Sequence, residues 1–355
     1  MQNLNSVLST FIFSLIWIAS LSVDAHSTEN LEIQLYHQAQ KIMDNYHGNT
    51  PELKKVENLL KRINFFTKDS QYYLVGKARL AYKAGYLHSR SYKKESLQES
   101  KRYFLKAYTL YPSFFDAYYY GSLPFIMTGD LKTARYLAFR ASQIDPDNPK
   151  VPLMWGQIAL DEKKYDEAER YVRQALESHK DNKEFNDACY LLIHIYKEQK
   201  KYRQTRAIHM KLVDMFPDDP WARVNYASFL LYKLSDYDES IQQAKKALDL
   251  MNFILGHRVL GEACSAKGEQ LLWEQQKYKE SIPYFERSTQ HIRKNPRAFF
   301  GLGVAYLKLG QINQDKDSLL KAKAAFEQTL KFNKNYKGAI EHMAQVKKNL
   351  QMISI

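Results

Sequence analysis

Tyr190, His194 and Lys197 stand four and then three residues apart, a spacing that puts a phenol, an imidazole and an ammonium on one face of an α-helix. Such a face can hold a peptide or its carboxylate; it is equally what an ordinary half-exposed helix surface looks like. Elsewhere the chemistry-bearing residues stay apart. The ten histidines are scattered singly, with no His-Glu-x-x-His, no Cys-x-x-Cys and no close ligand pair to hold zinc. Gly-x-Gly-x-x-Gly and the phosphate loop are absent, and Gly301-x-Gly303 falls mid-helix, where small residues serve close packing. No serine sits in a nucleophile elbow. With no acid, base or nucleophile placed by a motif, the expectation is a non-enzyme that uses no metal and no cofactor.

Bulk properties narrow the partner. A net charge of +13 favours acidic proteins, anionic lipid heads or nucleic acid. Fourteen per cent of residues are aromatic, including 26 tyrosines, which suits helix–helix seams that leave a hydroxyl at the wet edge. Residues 8–23 are apolar and uncharged, and Val23-Asp24-Ala25 follows with compact residues at the −3 and −1 positions, so residues 1–25 read as a secretory signal peptide cut before His26. No Lys or Arg precedes the run, which keeps an uncleaved membrane anchor as the rival, although 16 residues fall short of the roughly 20 that span a bilayer comfortably. The chain contains no Asn-x-Ser/Thr sequon, which favours a bacterial envelope over a eukaryotic secretory route.

The elements that would position these residues follow from a repeated pattern. A small residue, a second small residue twelve positions on, an aromatic position four further and an Ala three beyond that recur at near-constant spacing, closing on Pro. Gly156, Ala168, Val172 and Ala175 form the clearest copy, and Ser122, Ala134, Ala138, Ala141 and Pro146 the next. The small-residue equivalents are Gly76, Ser122, Gly156, Ile193, Ser228, Gly261 and Gly303, separated by steps of 46, 34, 37, 35, 33 and 42. Two amphipathic helices per unit, with a small residue where the first must approach the second, account for the period.

Over residues 69–335 the chain resembles the tetratricopeptide repeat (TPR) family. Leu260-Gly261 and Leu302-Gly303 match the Leu-Gly pair, Tyr196 and Tyr306 the helix A tyrosine, Phe104, Phe285 and Phe326 the helix B aromatic, and Pro112, Pro146 and Pro217 the closing proline. Ile193, Thr205 and Asn252 depart from the pattern. The resemblance implies an all-α, right-handed superhelical solenoid of about seven helix–turn–helix repeats sharing one continuous core. Residues 26–68 would be N-terminal capping helices or a degenerate repeat, and residues 336–355 a C-terminal capping helix. Extra residues are expected near 86–98, 268–276 and 310–318, either as insertions on one face or as helices running a turn or two longer. Cys189 and Cys264, two repeats apart, should be buried free thiols, because stacked helices are about 8–10 Å apart and a bridge needs Cα atoms within about 7 Å.

The resemblance also implies a ligand groove lined by helix A, whose family positions here give Tyr73, Lys77, Tyr119, Tyr190, His194, Lys197, Asn225, Tyr232 and Arg258 as partner-binding candidates. Bases and acids are mixed along it, with Asp116, Lys150, Glu262 and Arg297 among them, which counts against nucleic acid, since backbone binding needs an uncompensated cationic track. None of the groove pairs matches the Lys/Asn carboxylate clamp that some family members use on chaperone tails. Pro124 lies inside a helix A, where it either widens the groove beside Tyr119 or is a tolerated bend. The expected function is a non-catalytic protein-interaction scaffold in the periplasm or secreted, with a protein partner, acidic if charge decides. Membrane association is expected only if the N-terminal segment is uncleaved. Alternatives are an accessory to polysaccharide export or outer-membrane assembly, and a direct binder of a glycan or nucleic-acid polyanion.

Overall fold

The computed structural model describes residues 27–44, 50–84, 93–178 and 183–353. The expected signal segment lies outside the described residues. Two compact units divide between Leu191 and Leu192, where a single continuous core was expected. The first holds α1 (27–44), α2 (Thr50–Phe66), α3 (Gln71–Ala84), α4 (Lys94–Leu110), α5 (Phe115–Met127), α6 (Leu131–Ile144), α7 (Lys150–Asp161) and α8 (Tyr165–Ser178). The division falls within α9 (Lys183–Glu198). The second unit continues with α10 (Tyr202–Met215), α11 (Pro220–Phe229), α12 (Tyr237–Leu250), α13 (Ile254–Glu269), α14 (Tyr278–His291), α15 (Pro296–Asn313), α16 (Lys316–Phe332) and α17 (Lys337–Ile353). No strand occurs among the described residues.

Within each unit a helix packs chiefly on its chain neighbour, but the next-nearest contacts join odd-numbered helices: α3 with α5 and α5 with α7 in the first, α11 with α13, α13 with α15 and α15 with α17 in the second. Odd helices therefore form an inner layer and even helices an outer one. The outer layer has a strict register. Three positions spaced four and three apart are buried in each of seven even helices, from Ser100, Phe104 and Ala107 in α4, through Ala168, Val172 and Ala175 in α8, to Ala322, Phe326 and Thr329 in α16. In every one of these helices but α10, which has Leu212, small residues at the outer two positions let an inner helix come close, and in α4, α14 and α16 a phenylalanine at the middle position fills the gap. Opposite it the inner helices are thinned: a Cβ on Gly303 would sit 2.6 Å from the Phe326 ring, and one on Gly156 3.1 Å from Val172.

Each inner helix from α5 to α15 hands over to its outer partner through one residue in the left-handed region: Gly129, Lys163, Lys200, Ser235, Gln276 and Gln314. The next amide closes back onto the helix, as in Asp130 N–H to the Phe125 carbonyl (2.9 Å) and Lys164 N–H to that of Ala159 (2.9 Å), which satisfies carbonyls the helix end leaves open. Asp130 and Asp315 then cap the following helix, accepting from the backbone amides of Thr133 and of Asp317 and Ser318. From the small residue to this left-handed residue is seven positions in the repeats of Ser122, Gly156, Ile193 and Ser228, fifteen after Gly261 and eleven after Gly303. The extra residues are helix: α13 continues through a π-helical turn, Gln270–Glu274, and α15 runs to Asn313. Eight and four additional residues are about two turns and one. The third expected extra segment lies largely in 85–92, outside the described residues. Helix α5 spans Phe115–Met127 without interruption, with Pro124 buried inside it.

Candidate functional site

The expected groove residues fall on the inner helices, and the two units use theirs differently. In the first unit the inner-layer side chains are bonded to one another. Asp116, at the start of α5, accepts from the Tyr36 hydroxyl (3.0 Å) and Gln40 Nε2 (3.1 Å) of α1, and Lys150 Nζ of α7 lies 3.9 Å from its other oxygen. Arg79 of α3, only 4% exposed, donates to Asp44 at 2.6 Å and lays its guanidinium 3.6 Å from the centre of the Tyr120 ring. Burial and then Asp116 push the Tyr36 hydroxyl pKa well up, so it stays a donor. Tyr119 is half-buried between Phe115, Tyr120 and the Lys150 ammonium, 5.3 Å from its ring centre. Tyr73 and Lys77 turn towards Tyr103 of α4, the first by a hydroxyl contact and the second over the ring at 6.0 Å. Here a ligand would have to displace the protein's own contacts.

Tyr190, His194 and Lys197 all lie on α9, half-buried, exposed and half-buried respectively. Tyr190 precedes the division between the units, and the other two follow it.

In the second unit the inner layer combines bonded and exposed side chains. Asn225 is half-buried on α11, whose C-terminal end widens into a π-helical turn, Leu230–Leu234. That turn buries Leu230 and Leu231 and presents Tyr232, 56% exposed, with its hydroxyl donating to Glu262 of α13. Burial first, then the bond to Glu262, raises the Tyr232 pKa, while nearby Arg258 works the other way, so structure brings Tyr232 and Arg258 together around Glu262. The equivalent π-helical turn of α13 buries Leu271 and Leu272 and exposes Trp273, stacked on Phe300 of α15 at 6.5 Å. Glu269 is held in a two-pronged contact by Arg297. Arg258 and Lys233 are exposed and form no ion pair among the described residues. Sequence reasoning missed Trp273; the shared Leu-Leu-aromatic string at 230–232 and 271–273 was the available signal.

Reactive chemistry is muted throughout. Both cysteines are buried and in no disulfide, and burial pushes the Cys264 thiol up to about 11, away from its nucleophilic form. No group of three or more His, Cys, Asp or Glu side chains among the described residues could share a metal ion. His209, which no motif singled out, is 3% exposed and stacked on Tyr226 (5.6 Å) and Phe229 (5.2 Å) of α11. Burial, with Lys197 adding to it, pushes its pKa down to about 3, so this imidazole is neutral and structural.

Helix pairs with an inner and an outer layer and a fixed buried register define an all-α repeat architecture. Residues 125–190 match the tetratricopeptide repeat family. That stretch is tetratricopeptide-like, and the helix pairs on either side of it share its buried register. A search of curated sequences returns no match. Among solved structures, it is similar to the APC/C hetero-tetramer Cut9-Hcn1 (14% identity, TM-score 0.48, covering 88% of this chain and 62% of that one). It is also similar to yeast Tom70 (16%, 0.44, covering 86% and 59%). A third likeness is to YrrB, described as a TPR protein with an unusual peptide-binding site (15%, 0.30, covering 67% and 96%). The chain thus spans about three fifths of the length of the first two. No helix among the described residues is long and apolar enough to cross a membrane.

Proposed function

We propose that this protein is a non-catalytic scaffold of the bacterial cell envelope that holds an acidic segment of a protein partner against the inner helices of its second unit. The carrying observation is the uneven satisfaction of charge there. Glu262 and Glu269 are engaged by Tyr232 and Arg297, whereas Arg258 and Lys233 remain exposed beside an exposed tyrosine. A partner carboxylate can take the Arg258 guanidinium bidentately, and an adjacent apolar side chain can rest on the Tyr232 ring. His194 and Lys197 extend the same chemistry along α9. Export is supported by the apolar run at 8–23 and the compact cleavage residues after it.

The test is a photo-crosslinking amino acid at Tyr232 and, as control, at exposed Arg170 on outer helix α8, in a Gram-negative host. A partner band from Tyr232 alone, lost on Arg258→Glu, is the expected result; equal yield from both sites would overturn the groove assignment. N-terminal sequencing of the same material should read from His26 in a soluble periplasmic fraction, and a membrane-bound species retaining Met1 would overturn the location.

A further inference from the structure

The surplus positive charge is concentrated on the outer layer of the first unit. Helices α2, α4 and α6 carry eleven Lys and Arg against four Asp and Glu, an excess that makes up more than half of the chain's +13. The next outer helix, α8, reverses the balance with four acids and two bases, so within the outer layer of this unit the excess lies on these three. Every one of the eleven bases is exposed or half-exposed. Among them the same helices leave large apolar side chains in water: Phe65 (84%), Phe66, Leu105, Leu110, Tyr136 and Phe139.

These positions adjoin. Lys106 of α4 reaches Asp69, three residues past the end of α2, at 2.7 Å, and the Tyr111 hydroxyl donates to the Asp69 carbonyl at 3.1 Å. Tyr136 of α6 neighbours Tyr108 of α4. Tyr136 and Phe139 lie one turn apart on α6, flanked by Lys132 and Arg140, and α6 contains no acid between its capping residues.

We propose that the outer face formed by α2, α4 and α6 docks on an anionic phospholipid surface. Dispersed ammonium and guanidinium tips on long apolar stems suit headgroups that carry mobile negative charge, and Tyr and Phe rings suit the boundary just beneath. Duplex or single-stranded nucleic acid fits less well, because Leu105 and Leu110 interrupt the cationic track with aliphatic surface that no phosphate satisfies. This contact is independent of the N-terminal apolar run and of the inner-layer site, so it adds a second way for the protein to meet a membrane.

The experiment is flotation of the full chain with phosphatidylcholine vesicles, with and without about a third phosphatidylglycerol, at low and high salt. Two variants accompany it, Lys61→Gln/Lys132→Gln and Tyr136→Ser/Phe139→Ser, each checked for an unchanged circular dichroism melt. The expected result is salt-sensitive binding to the anionic vesicles only, reduced roughly 25-fold by the lysine pair and also by the aromatic pair. Binding to both vesicle types that neither variant weakens would assign the contact to the N-terminal segment and overturn the proposal. So would absence of vesicle binding together with capture on heparin that the lysine variant abolishes. Both lysines are exposed, Lys61 beside Glu57 at 3.5 Å, which keeps the test decisive if the aromatic variant melts early. Retention of the Arg258-dependent crosslink in both variants separates this face from the inner-layer site.

Discussion

His209 should make the second unit acid-labile, and its place in the repeat shows why. It occupies the middle buried position of α10, where Phe104, Phe285 and Phe326 stand in other outer helices, and Thr205 and Leu212 fill the flanking positions. Its Nδ1 is buried without a hydrogen-bond partner, so the ring is tolerated only while neutral. With a folded pKa of about 3 against about 6.5 unfolded, the unfolded chain binds the proton more readily. Stability is therefore complete above pH 6.5, falls as pH drops below that value, and levels off near pH 3. At about 1.4 kcal/mol per unit, the loss from this residue is roughly 2 kcal/mol by pH 5. His209→Phe restores the ring found in sister repeats and removes the titration. Urea unfolding of both proteins at pH 7, 6 and 5, followed by tryptophan fluorescence, with Trp221 and Trp273 in the same unit, should show the variant gaining about 2 kcal/mol on wild type across that range. Other titrating groups cancel in the difference. A gap between the two proteins that stays constant from pH 7 to 5 would refute the assignment of His209 as a buried neutral base.

Three further outcomes follow from packing. Gly303→Ala places a methyl 2.6 Å from Phe326, which is fully buried and cannot retreat, and should cost about 1–3 kcal/mol in urea unfolding. Gln314→Gly relieves a left-handed residue at φ 54° and should raise stability by up to about 1 kcal/mol, read as a higher Tm. Arg79→Met removes the ion pair that the buried guanidinium makes with Asp44 at the end of α1 and should destabilise the first unit by roughly 3 kcal/mol, while Asp44→Asn, which keeps a hydrogen-bond acceptor, should cost less.

What the sequence disclosed and what it withheld divide along a physical line. The spacing of Gly156, Ala168, Val172 and Ala175 was readable because close approach constrains residue size at fixed helical intervals, and the structure stacks Val172 under Gly156 at that point. The same logic along α10 places His209 in the core, but a single histidine on a polar helix forms no motif, whereas exposed His194 shares a helix face with Tyr190 and Lys197. The Asp116 cluster was out of reach, because Tyr36 and Gln40 meet it across 80 and 76 residues and no period links α1 to α5. Tyr232 and Arg258 belong to different repeats, and only the packing of α11 on α13 shows that Glu262 joins them.

The unequal inner helices bear on how such a chain avoids misassembly. Near-identical helix pairs are exposed to register slips, in which the inner helix of one repeat finds the outer helix of another, and multirepeat chains misfold in that way. The two added turns of α13, the one added turn of α15 and the π-helical widenings after Phe229 and Glu269 give neighbouring repeats different lengths and different exit geometries. A swapped pairing would leave Leu271 and Leu272 uncovered or set the left-handed linker opposite helix, so length irregularity acts as an address label that each repeat carries for its own partner.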